Sequence, residues 1–337
     1  MTSGVRTSRK QVALLVALGV VVPLLLVELS VRIATASLLQ WRSKENDRHV
    51  IADPLVGRIP QPGLSVRHPN GFTITIGENG TRRNGQAAAV SSRPAVLAVG
   101  DSFAFGDGVD DEDSWPAILE QLSGRRVINA AVPGFGLDQV VLRAERLAEP
   151  YAPDTIIVSF IPHDVLRCEM SYWSGYPKPY FDIQGDTLHL NPAPTPPVSF
   201  WAPLKRLLSA SVTLDRLVPR FLYWEGPAQT IMHARGRDVA CRLMQRLTAL
   251  GRAHDARVIV VAQPQQPTAT AEQRAIKDGV LACARANQLQ TLDLFPVIDA
   301  LPEGQRIALF PRHMSAEGNR LVATEIAASL KSDGAAR

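Results

Sequence analysis

The stretch VLAVGDSFAFGDGV, residues 96–109, contains the first residues that could carry chemistry. An apolar run ends at Gly100-Asp101-Ser102, and a glycine-rich segment follows it. A serine hydroxyl becomes a good nucleophile only when a nearby base removes its proton, and histidine is the usual base. Asp101 and Ser102 also favour the start of a helix, where their side chains bind free backbone N–H groups. Ser102 is therefore a candidate nucleophile whose assignment depends on a histidine elsewhere in the chain.

His313 is the histidine with the most suggestive surroundings. It stands in LFPRHMSAEGNRLVATEIAASL, where a loop precedes an amphipathic helix that begins near Ser315. A loop in this position can lie beside the first strand-to-helix turn of an α/β domain, next to Ser102. Such a pair carries out acyl transfer, and the tetrahedral intermediate needs hydrogen-bond donors for its oxyanion. The candidate donors are the backbone N–H groups of Ser102 and Gly134 and the side chain of His163, since glycine lets the backbone approach closely.

The elements that must position these residues alternate between short apolar runs and helical patterns. Predicted strands cover residues 95–100, 126–132, 155–161, 257–263 and 289–295. Helical patterns cover residues 115–122, 137–148, 235–253 and 268–287. This order predicts an α/β fold, a three-layer sandwich in which helices cover both faces of a mostly parallel sheet. Sites in such sheets form at the carboxyl ends of the strands, where Ser102, the PGFG turn at 133–136 and the PHD turn at 162–164 would gather.

The N-terminus carries a long apolar segment behind basic residues. Residues 12–27, VALLVALGVVVPLLLV, hold no charge and, with their flanks, reach the roughly 20 residues that cross a bilayer. We predict an uncleaved signal anchor, a transmembrane helix within residues 1–40, with its N-terminus in the cytoplasm and the remaining chain outside. Glu28 and Arg32 are expected to pair on one helix face. A signal peptide cleaved near Ala34-Thr35-Ala36 is the alternative.

The chain between the anchor and the sheet differs in character from both. Residues 41–93 form a lead-in that is polar and contains proline, and the main domain covers residues 94–332. Within the lead-in, GFTITIGENGTRRNG alternates apolar and polar residues and then reaches Asn79-Gly80, a pair typical of hairpin turns. We therefore predict a β-hairpin just before the main domain.

Residues 165–230 interrupt the alternation of strands and helices with a segment rich in proline and aromatic residues. Long insertions of this kind are uncommon unless they have a function. We predict an insertion over the site end with a small hairpin around Gly185, serving either as a lid or substrate platform or as a packing decoration. Within it, Tyr172, Trp173 and Tyr180 are candidate substrate-binding residues for a sugar, and core packing is their alternative role.

Composition limits the classes of function. The 337 residues carry a net charge of +4 with no dense basic tract, so we expect no nucleic-acid partner. Cys168, Cys241 and Cys283 lie far apart; we predict buried thiols, with oxidation of one pair as the alternative. The acidic run at 106–113 lacks the spacing of a calcium loop and fits the charge preference of a helix N-terminus. We expect neither a metal nor a cofactor.

Four blocks of the sequence together resemble the SGNH (GDSL) hydrolase family. They are GDSF at 100–103, the turn from Asn129 to Gly134, His163-Asp164, and HMSAEGNRLVA beginning at His313. The resemblance implies the family's flavodoxin-like sandwich, Ser102 as nucleophile, His313 as base, and an oxyanion hole from Ser102, Gly134 and the side chain of the third block. Family members hydrolyse esters or transfer acyl groups, often acetyl groups on carbohydrate. With its anchor, the chain is similar to a bacterial envelope branch linked to polysaccharide O-acetylation, which implies a single-pass inner-membrane protein with a periplasmic catalytic domain.

Two blocks depart from the family pattern. The third has His163-Asp164 where the family has Asn-Asp, although a neutral imidazole still donates one hydrogen bond. The last block of the family has an aspartate three residues before the histidine, where this chain has Phe310. Asp299 and Glu303, in the preceding segment, are the candidate carboxylates that would orient His313 instead. A backbone carbonyl is the further alternative.

These residues predict a serine esterase or O-acyltransferase, with acetyl esters of an envelope carbohydrate as the substrates that the resemblance implies. Ser102 would form an acyl-enzyme, and water or a sugar hydroxyl would release the acyl group. Because Phe310 and His163 depart from the family pattern, a catalytically silent carbohydrate-binding or assembly module of an envelope polysaccharide system stays open. A lipid-directed esterase is a third alternative.

Overall fold

Two units make up the chain in the computed structural model. One unit comprises Met1–Asp47 and Pro196–Glu225, and the other comprises Arg48–Thr195 and Gly226–Arg337. The structure describes residues 8–34, 49–68, 70–85, 94–173, 176–194, 204, 211, 213–214, 229–231 and 235–332.

The smaller unit contains helix α1, Arg9–Ala34. Its side chains are almost entirely apolar and stay exposed, as for Leu14 and Leu24 at 60% and 63%. The helix is long and apolar enough to cross a membrane, a test of length and composition that a signal sequence also passes. The predicted pair is confirmed, since Arg32 Nε donates to Glu28 Oε1 over 2.9 Å.

The larger unit contains all other elements used below. Its strands are β1 Val50–Asp53, β2 Gly57–Pro60, β3 Ser65–Arg67, β4 Thr73–Thr75, β5 Val96–Val99, β6 Val127–Asn129, β7 Thr155–Phe160, β8 Met170–Trp173, β9 Tyr176–Pro177, β10 Tyr180–Gln184, β11 Thr187–Asn191, β12 Gln229–Ile231, β13 Arg257–Ala262 and β14 Gln290–Asp293. Its helices are α2 Ser102–Phe105, α3 Trp115–Ser123, α4 Leu137–Tyr151, α5 Pro162–Arg167, α6 Gly236–Ala253, α7 Ala271–Ala286, α8 Phe295–Asp299, α9 Glu303–Leu309 and α10 Ala316–Ser332.

The centre of this unit is a five-stranded sheet in the order β14-β13-β7-β5-β6. All four neighbouring pairs are parallel, which confirms the α/β fold predicted from the alternation of strands and helices. The three inner strands read as continuous apolar runs because helices cover both faces of the sheet, as is usual for parallel sheets.

Side chains that alternate along each strand build two separate cores. In β5, Leu97 and Val99 face a core that they share with helices α4, α6 and α7. Val96 and Ala98 face the opposite core, which they share with α3 and α10. Because the five strands are parallel, their carboxyl ends lie along one edge of the sheet, where the loops that follow the strands lie together.

The lead-in forms two antiparallel strand pairs in addition to the predicted turn. Strand β1 pairs with β2, and β3 pairs with β4. The turn expected at Asn79-Gly80 is crossed by the single bridge Ile76–Arg82, while a second bridge joins Arg82 to Asn129 of β6. The Gly77 N–H donates to the Thr81 oxygen over 2.7 Å and the Arg83 N–H to the Thr75 oxygen over 2.8 Å, so the chain does reverse antiparallel at this turn, as the predicted hairpin requires.

The described part of the insertion consists of small antiparallel sheets. Strands β12, β8 and β9 form one sheet in that order, and β10 pairs with β11 around Gly185, which confirms the predicted small hairpin. Gly185 has a φ of +58°, a left-handed conformation that favours glycine in a tight turn. Most of residues 195–228 lies outside the described residues.

Two cysteines form a disulfide that corrects the prediction of three thiols. Cys241 of α6 and Cys283 of α7 are bonded, with their Cα atoms 5.2 Å apart. The two helices pack against each other on the same face of the sheet, which brings these distant positions within disulfide reach. Cys168 remains a buried thiol, as expected.

Candidate active site

Ser102 is the first residue of α2 and follows the end of β5 by two residues. Asp101 caps the helix, since its Oδ1 accepts a hydrogen bond from the Phe103 N–H over 3.0 Å. Position 100 requires glycine for steric reasons, because a Cβ there would lie 2.6 Å from Ala104 Cβ and 2.9 Å from the Ser159 backbone oxygen. Asp101 is therefore the residue that caps the helix. The Ser102 side chain is not used for capping and lies at the tip of the turn.

The polar groups of Ser102 have few partners. Its Oγ donates to Asp101 Oδ2 over 3.4 Å, and the residue is 7% exposed. Among the described residues, its backbone N–H has no acceptor. An unpaired N–H at the first turn of a helix favours a negative partner, such as the oxygen of a tetrahedral intermediate.

His313 lies against the segment that carries Ser102. Its ring is 5.4 Å from the Phe103 ring, centroid to centroid, and its Nδ1 is 3.8 Å from Asp107 Oδ2. The Ser315 N–H donates to the Leu309 oxygen over 2.8 Å, which closes the loop that presents the imidazole. Within the described chain, no hydrogen bond joins Ser102 to His313. The structure thus places His313 against Phe103 and Asp107, which follow Ser102 in sequence.

Asn319 of α10 fastens the histidine loop to the rest of the site. Its Oδ1 accepts from the Trp115 N–H over 3.0 Å, and its Nδ2 donates to the Met314 oxygen over 3.2 Å. Phe310, at the position where the family has aspartate, is 9% exposed and packs in the core beside α3 and α10. An ionised carboxylate at that position would be buried among apolar side chains.

The carboxylate beside His313 is Asp107, which the sequence reasoning had assigned to an acidic run at a helix N-terminus. Asp107 follows α2, and its backbone N–H donates to the Ser102 oxygen over 3.0 Å. The position of Asp107, in the loop that directly follows the nucleophile helix, is the sequence feature that points to this role. A loop that turns back past the nucleophile can also reach the base. At 3.8 Å the contact has the distance of an ion pair rather than of a direct hydrogen bond.

Neither of the carboxylates expected to orient His313 does so. Asp299 binds Arg274 through two hydrogen bonds of 2.6 and 3.1 Å, and this partner lowers the pKa of the Asp299 carboxyl. Glu303 is exposed in the first turn of α9 and forms no ion pair with His313 in the part of the chain that the structure describes. The expectation for these two residues is corrected, because Asp299 binds Arg274 and the exposed Glu303 is not paired with His313 among the described residues.

Arg82, from the lead-in, holds the loop that carries Asp107. It is 2% exposed and pairs with Asp111 over 2.9 Å. Its guanidinium also donates to the backbone oxygens of Thr73, Phe105, Gly106 and Val109. Each of the five N–H donors of the guanidinium has an acceptor, which offsets the cost of burying its charge. No sequence motif identified Arg82, since four of its five acceptors are backbone oxygens.

Gly134 and His163 lie at the ends of the next two strands, as predicted. Gly134 has a φ of +77°, and its N–H has no acceptor among the described residues. A Cβ at Gly134 would lie 2.7 Å from Arg58 Nη2 and 3.3 Å from Trp173 Nε1, so the site requires glycine. His163 contacts the same tryptophan edge-on, with ring centroids 5.0 Å apart. Trp173 thus joins the two candidate oxyanion donors.

The imidazole of His163 is uncharged at neutral pH. Burial, followed by the positive charge of Arg167, lowers the pKa of His163 to about 4. A neutral imidazole has one N–H to donate, which suits a substitute for the amide of asparagine. The backbone N–H of His163 donates to Gln265 Oε1 over 3.1 Å, which holds the residue at the sheet edge.

A buried charge cluster lies behind these residues. Arg167 Nη1 is 2.6 Å from Asp164 Oδ1 and 3.8 Å from Asp101 Oδ2. Burial raises the pKa of Asp101, and burial together with the charge of Asp101 raises that of Asp164 well above its usual value. Asp164 Oδ2 also accepts from the Ile161 N–H over 3.0 Å at the start of α5. The cluster ties α2 to α5.

The three aromatic candidates occupy different positions. Trp173 is half-buried beside Gly134 and His163. Tyr172 is 6% exposed within β8, so it belongs to the core and the expectation that it binds substrate is corrected. Side chains alternate along a strand, which turns Tyr172 inward where Trp173 turns to the site. Tyr180 begins β10 opposite Asn191, and its role in binding remains a prediction.

The arrangement contains the parts that acyl transfer needs. One edge of the sheet carries a hydroxyl, an imidazole with a nearby carboxylate, a neutral imidazole and two backbone N–H groups that have no acceptor in the described part of the chain. Groups of three side chains able to hold a metal ion are absent from the described residues.

Comparisons with known proteins return similar folds only. No family model matches the sequence, and no curated protein matches it. Among solved structures, a G-D-S-L family protein from Desulfitobacterium hafniense DCB-2 is 18% identical, with a TM-score of 0.40 over 70% of this chain and 98% of that chain. The lipase/acylhydrolase from Enterococcus faecalis is 11% identical, with a TM-score of 0.41 over 72% and 97%. The acetylxylan esterase Axe2 from Geobacillus stearothermophilus is 13% identical, with a TM-score of 0.41 over 71% and 94%.

Proposed function

We propose that this chain is a membrane-anchored, extracytoplasmic serine esterase or acyltransferase of the SGNH type. The observation that carries the proposal is the contact of His313 with Phe103 and Asp107, which follow the nucleophile in sequence. Two chemically complementary side chains meet here although they stand at opposite ends of the domain's sequence. A packing role alone requires neither the serine nor the histidine at these positions.

The proposed reaction proceeds through an acyl-enzyme. Ser102 Oγ attacks the carbonyl carbon of an ester while His313 takes the hydroxyl proton. The new oxyanion accepts hydrogen bonds from the N–H groups of Ser102 and Gly134 and from the neutral imidazole of His163. Collapse of this intermediate breaks the ester C–O bond, and His313 returns the proton to the leaving alcohol. Water or a second hydroxyl then attacks the acyl-enzyme, with His313 as base, and Ser102 is restored.

Asp107 completes the proposed site as the carboxylate that faces the base. In serine hydrolases such a carboxylate orients the imidazole and stabilises the imidazolium that forms during proton transfer. Asp107 Oδ2 lies 3.8 Å from Nδ1, which leaves Nε2 as the nitrogen for the serine proton. Arg82 supports this role because it binds the backbone on both sides of Asp107, at Gly106 and Val109.

We infer that the substrate is an acyl ester on a carbohydrate, with acetyl as the acyl group. The support is Trp173, a half-exposed indole beside Gly134 and His163. An aromatic ring at this place offers an apolar face for a sugar ring and a polar N–H at its edge. The envelope polysaccharide and the choice between water and a sugar hydroxyl as acceptor belong to the same proposal.

The proposed location places α1 in the inner membrane of a bacterium and the larger unit in the periplasm. Arg6, Arg9 and Lys10, which precede the apolar segment at 12–27, favour a cytoplasmic N-terminus. The disulfide between Cys241 and Cys283 supports an oxidising compartment for the larger unit, since such bonds are rare in the cytoplasm. Alkylation of intact cells with a maleimide reagent, before and after reduction, tests this: both cysteines should react only after reduction.

The decisive experiment is covalent labelling of the detergent-solubilised full chain with a fluorophosphonate, together with hydrolysis of a small acetyl ester. We expect labelling and turnover in the wild type and in Thr324→Ala, a control on the exposed side of α10. Ser102→Ala should lose both, and His313→Ala should lose at least 100-fold of the labelling rate. Equal labelling of wild type and Ser102→Ala would defeat the proposal.

One observation favours the second candidate, a catalytically silent carbohydrate-binding or assembly module. Ser102 Oγ donates to Asp101 rather than to His313. This candidate predicts that cells carrying Ser102→Ala keep normal polymer acylation, while Trp173→Ala reduces polymer binding. Loss of acylation in the serine variant would exclude it.

A further inference from the structure

Arg58 connects the lead-in to the peptide that carries a candidate oxyanion donor. Arg58 lies in β2, and its Nη2 donates to the Pro133 oxygen over 3.1 Å. The next atom along the chain is the nitrogen of Gly134, whose N–H has no acceptor among the described residues. The guanidinium is therefore bound to the opposite end of the peptide unit that presents this N–H.

The geometry of the peptide unit makes this contact directional. The bond between Pro133 and Gly134 is trans, so the carbonyl and the N–H point in opposite directions within one plane. A hydrogen bond at the Pro133 oxygen fixes that plane and turns the Gly134 N–H away from Arg58. The fixation matters because Gly134, with a φ of +77°, has no side chain to limit its rotation. A cationic donor also polarises the peptide and strengthens the N–H at its other end.

Several contacts hold the guanidinium in place. It stacks on the Tyr176 ring, with the central carbon 4.3 Å from the ring centroid. Strand β2 itself approaches the segment that follows Tyr176 closely: a Cβ at Gly57 would lie 2.8 Å from the Pro177 oxygen. Trp173 lines the same small cavity as Arg58 and Gly134. The contact with the Pro133 oxygen thus rests on a rigid support.

The charge of Arg58 is available to the peptide. In the described chain, no carboxylate lies within ion-pair distance of its guanidinium. Burial, with the nearby charge of Arg167 as a further cause, lowers the pKa of Arg58 to about 10, which leaves it cationic at neutral pH. The cavity between Arg58, Gly134 and Trp173 has a volume of about 10 Å³, which holds at most one water. A substrate group does not fit there.

We infer that Arg58 is a positioning residue for the oxyanion hole. It holds the Pro133–Gly134 peptide so that the Gly134 N–H faces the reacting carbonyl, and its charge strengthens that donor as the oxyanion forms. The inference rests on the proposed function. It assigns a catalytic purpose to the lead-in strand β2, which lies 75 residues before Pro133.

The test compares Arg58→Gln and Arg58→Lys with the wild type, all as full chains in detergent. Removing one oxyanion donor outright costs about 10²–10³ in kcat, and here the donor stays but loses its support. We therefore expect Arg58→Gln to lower kcat for a small acetyl ester and the rate of fluorophosphonate labelling by about tenfold each, with KM unchanged. Arg58→Lys, which keeps a cationic donor, should recover most of both rates.

Arg146→Gln is the matched control, because Arg146 pairs with Asp53 of β1 and so ties the same hairpin to the domain without touching Pro133. Its kcat should equal that of the wild type. If Arg58→Gln does not fold, Tyr176→Leu, which removes the ring under the guanidinium, should lower kcat in the same way.

Full kcat in both the Arg58 and Tyr176 variants would overturn the inference, and so would a raised KM with unchanged kcat. Failure of the proposed function has a different signature: labelling of the wild type would then survive Ser102→Ala, whatever Arg58 does.

Discussion

Replacing Asp107 by asparagine tests whether Asp107 is the carboxylate that stabilises His313 during the proposed reaction. The substitution keeps the size of the side chain and removes the charge that lies 3.8 Å from His313 Nδ1. It leaves the supporting contacts of Arg82 intact, since these go to backbone oxygens and to Asp111. The only intended change is the loss of a negative charge facing the imidazolium of the transition state.

The size of the effect follows from Coulomb's law and solvent screening. Two unit charges about 4 Å apart attract by about 1 kcal/mol in water and about 4 kcal/mol at the effective dielectric near a protein surface. The side chains of His313 and Asp107 are 38% and 37% exposed, which favours the lower part of this range. With about 1–2 kcal/mol lost in the transition state, kcat should fall about 5- to 30-fold.

The assay is hydrolysis of a small acetyl ester at two salt concentrations. Glu112→Gln is the matched control, because it removes the same charge from an exposed position of the same acidic run. Asp299→Asn and Glu303→Gln should also keep the wild-type kcat. The loss in Asp107→Asn should shrink as added salt screens the pair. Unchanged turnover in Asp107→Asn, or an equal loss in Asp299→Asn, would refute the assignment of this carboxylate.

Three further predictions concern stability, measured by urea unfolding of the full chain. Replacing Cys241 and Cys283 by serine removes a cross-link with a sequence separation of 42 residues, and should lower the free energy of unfolding by about 2–4 kcal/mol; the reduced wild type should show the same loss. Gly100→Ala places a Cβ 2.9 Å from a backbone oxygen and should cost about 1–3 kcal/mol, whereas Gly279→Ala, in open space within α7, should stabilise by up to about 1 kcal/mol; equal effects at both positions would contradict the packing described. The pKa of His163 is about 4 when folded against an ordinary value of 6.5, so the unfolded chain takes up a proton first as the pH falls through this window. Between pH 6.5 and 4, the free energy of unfolding of the wild type should fall by at most about 3 kcal/mol more than that of His163→Asn. The same pH dependence in both proteins would contradict the burial of a neutral imidazole at position 163.

The lead-in contributes more to the site than its sequence suggested. Arg58 binds the Pro133 oxygen, and Arg82 binds the loop around Asp107. Both arginines act on backbone oxygens. Every residue has a backbone oxygen, so the residue type does not reveal which oxygen accepts from an arginine. Neither contact could therefore be predicted from the sequence.

The sequence by itself determined the elements and the nucleophile turn. Apolar runs of strand length alternating with helical patterns specify a parallel sheet, because each strand must be covered on both faces. Asp101 and Ser102 are likewise readable, since a helix cap is a local property of the residues that form it.

Only the tertiary structure decided which charged groups meet at the site. Asp107 faces His313 while Asp299 faces Arg274, and Tyr172 is core while Trp173 reaches Gly134. Aspartates are chemically equivalent along a chain, and their partners depend on where loops of different elements lie in space. A strand or a helix cap is determined by the local sequence, because the interactions that form it involve residues only a few positions apart. A pair that joins two distant loops is determined by packing, which no short stretch of sequence contains.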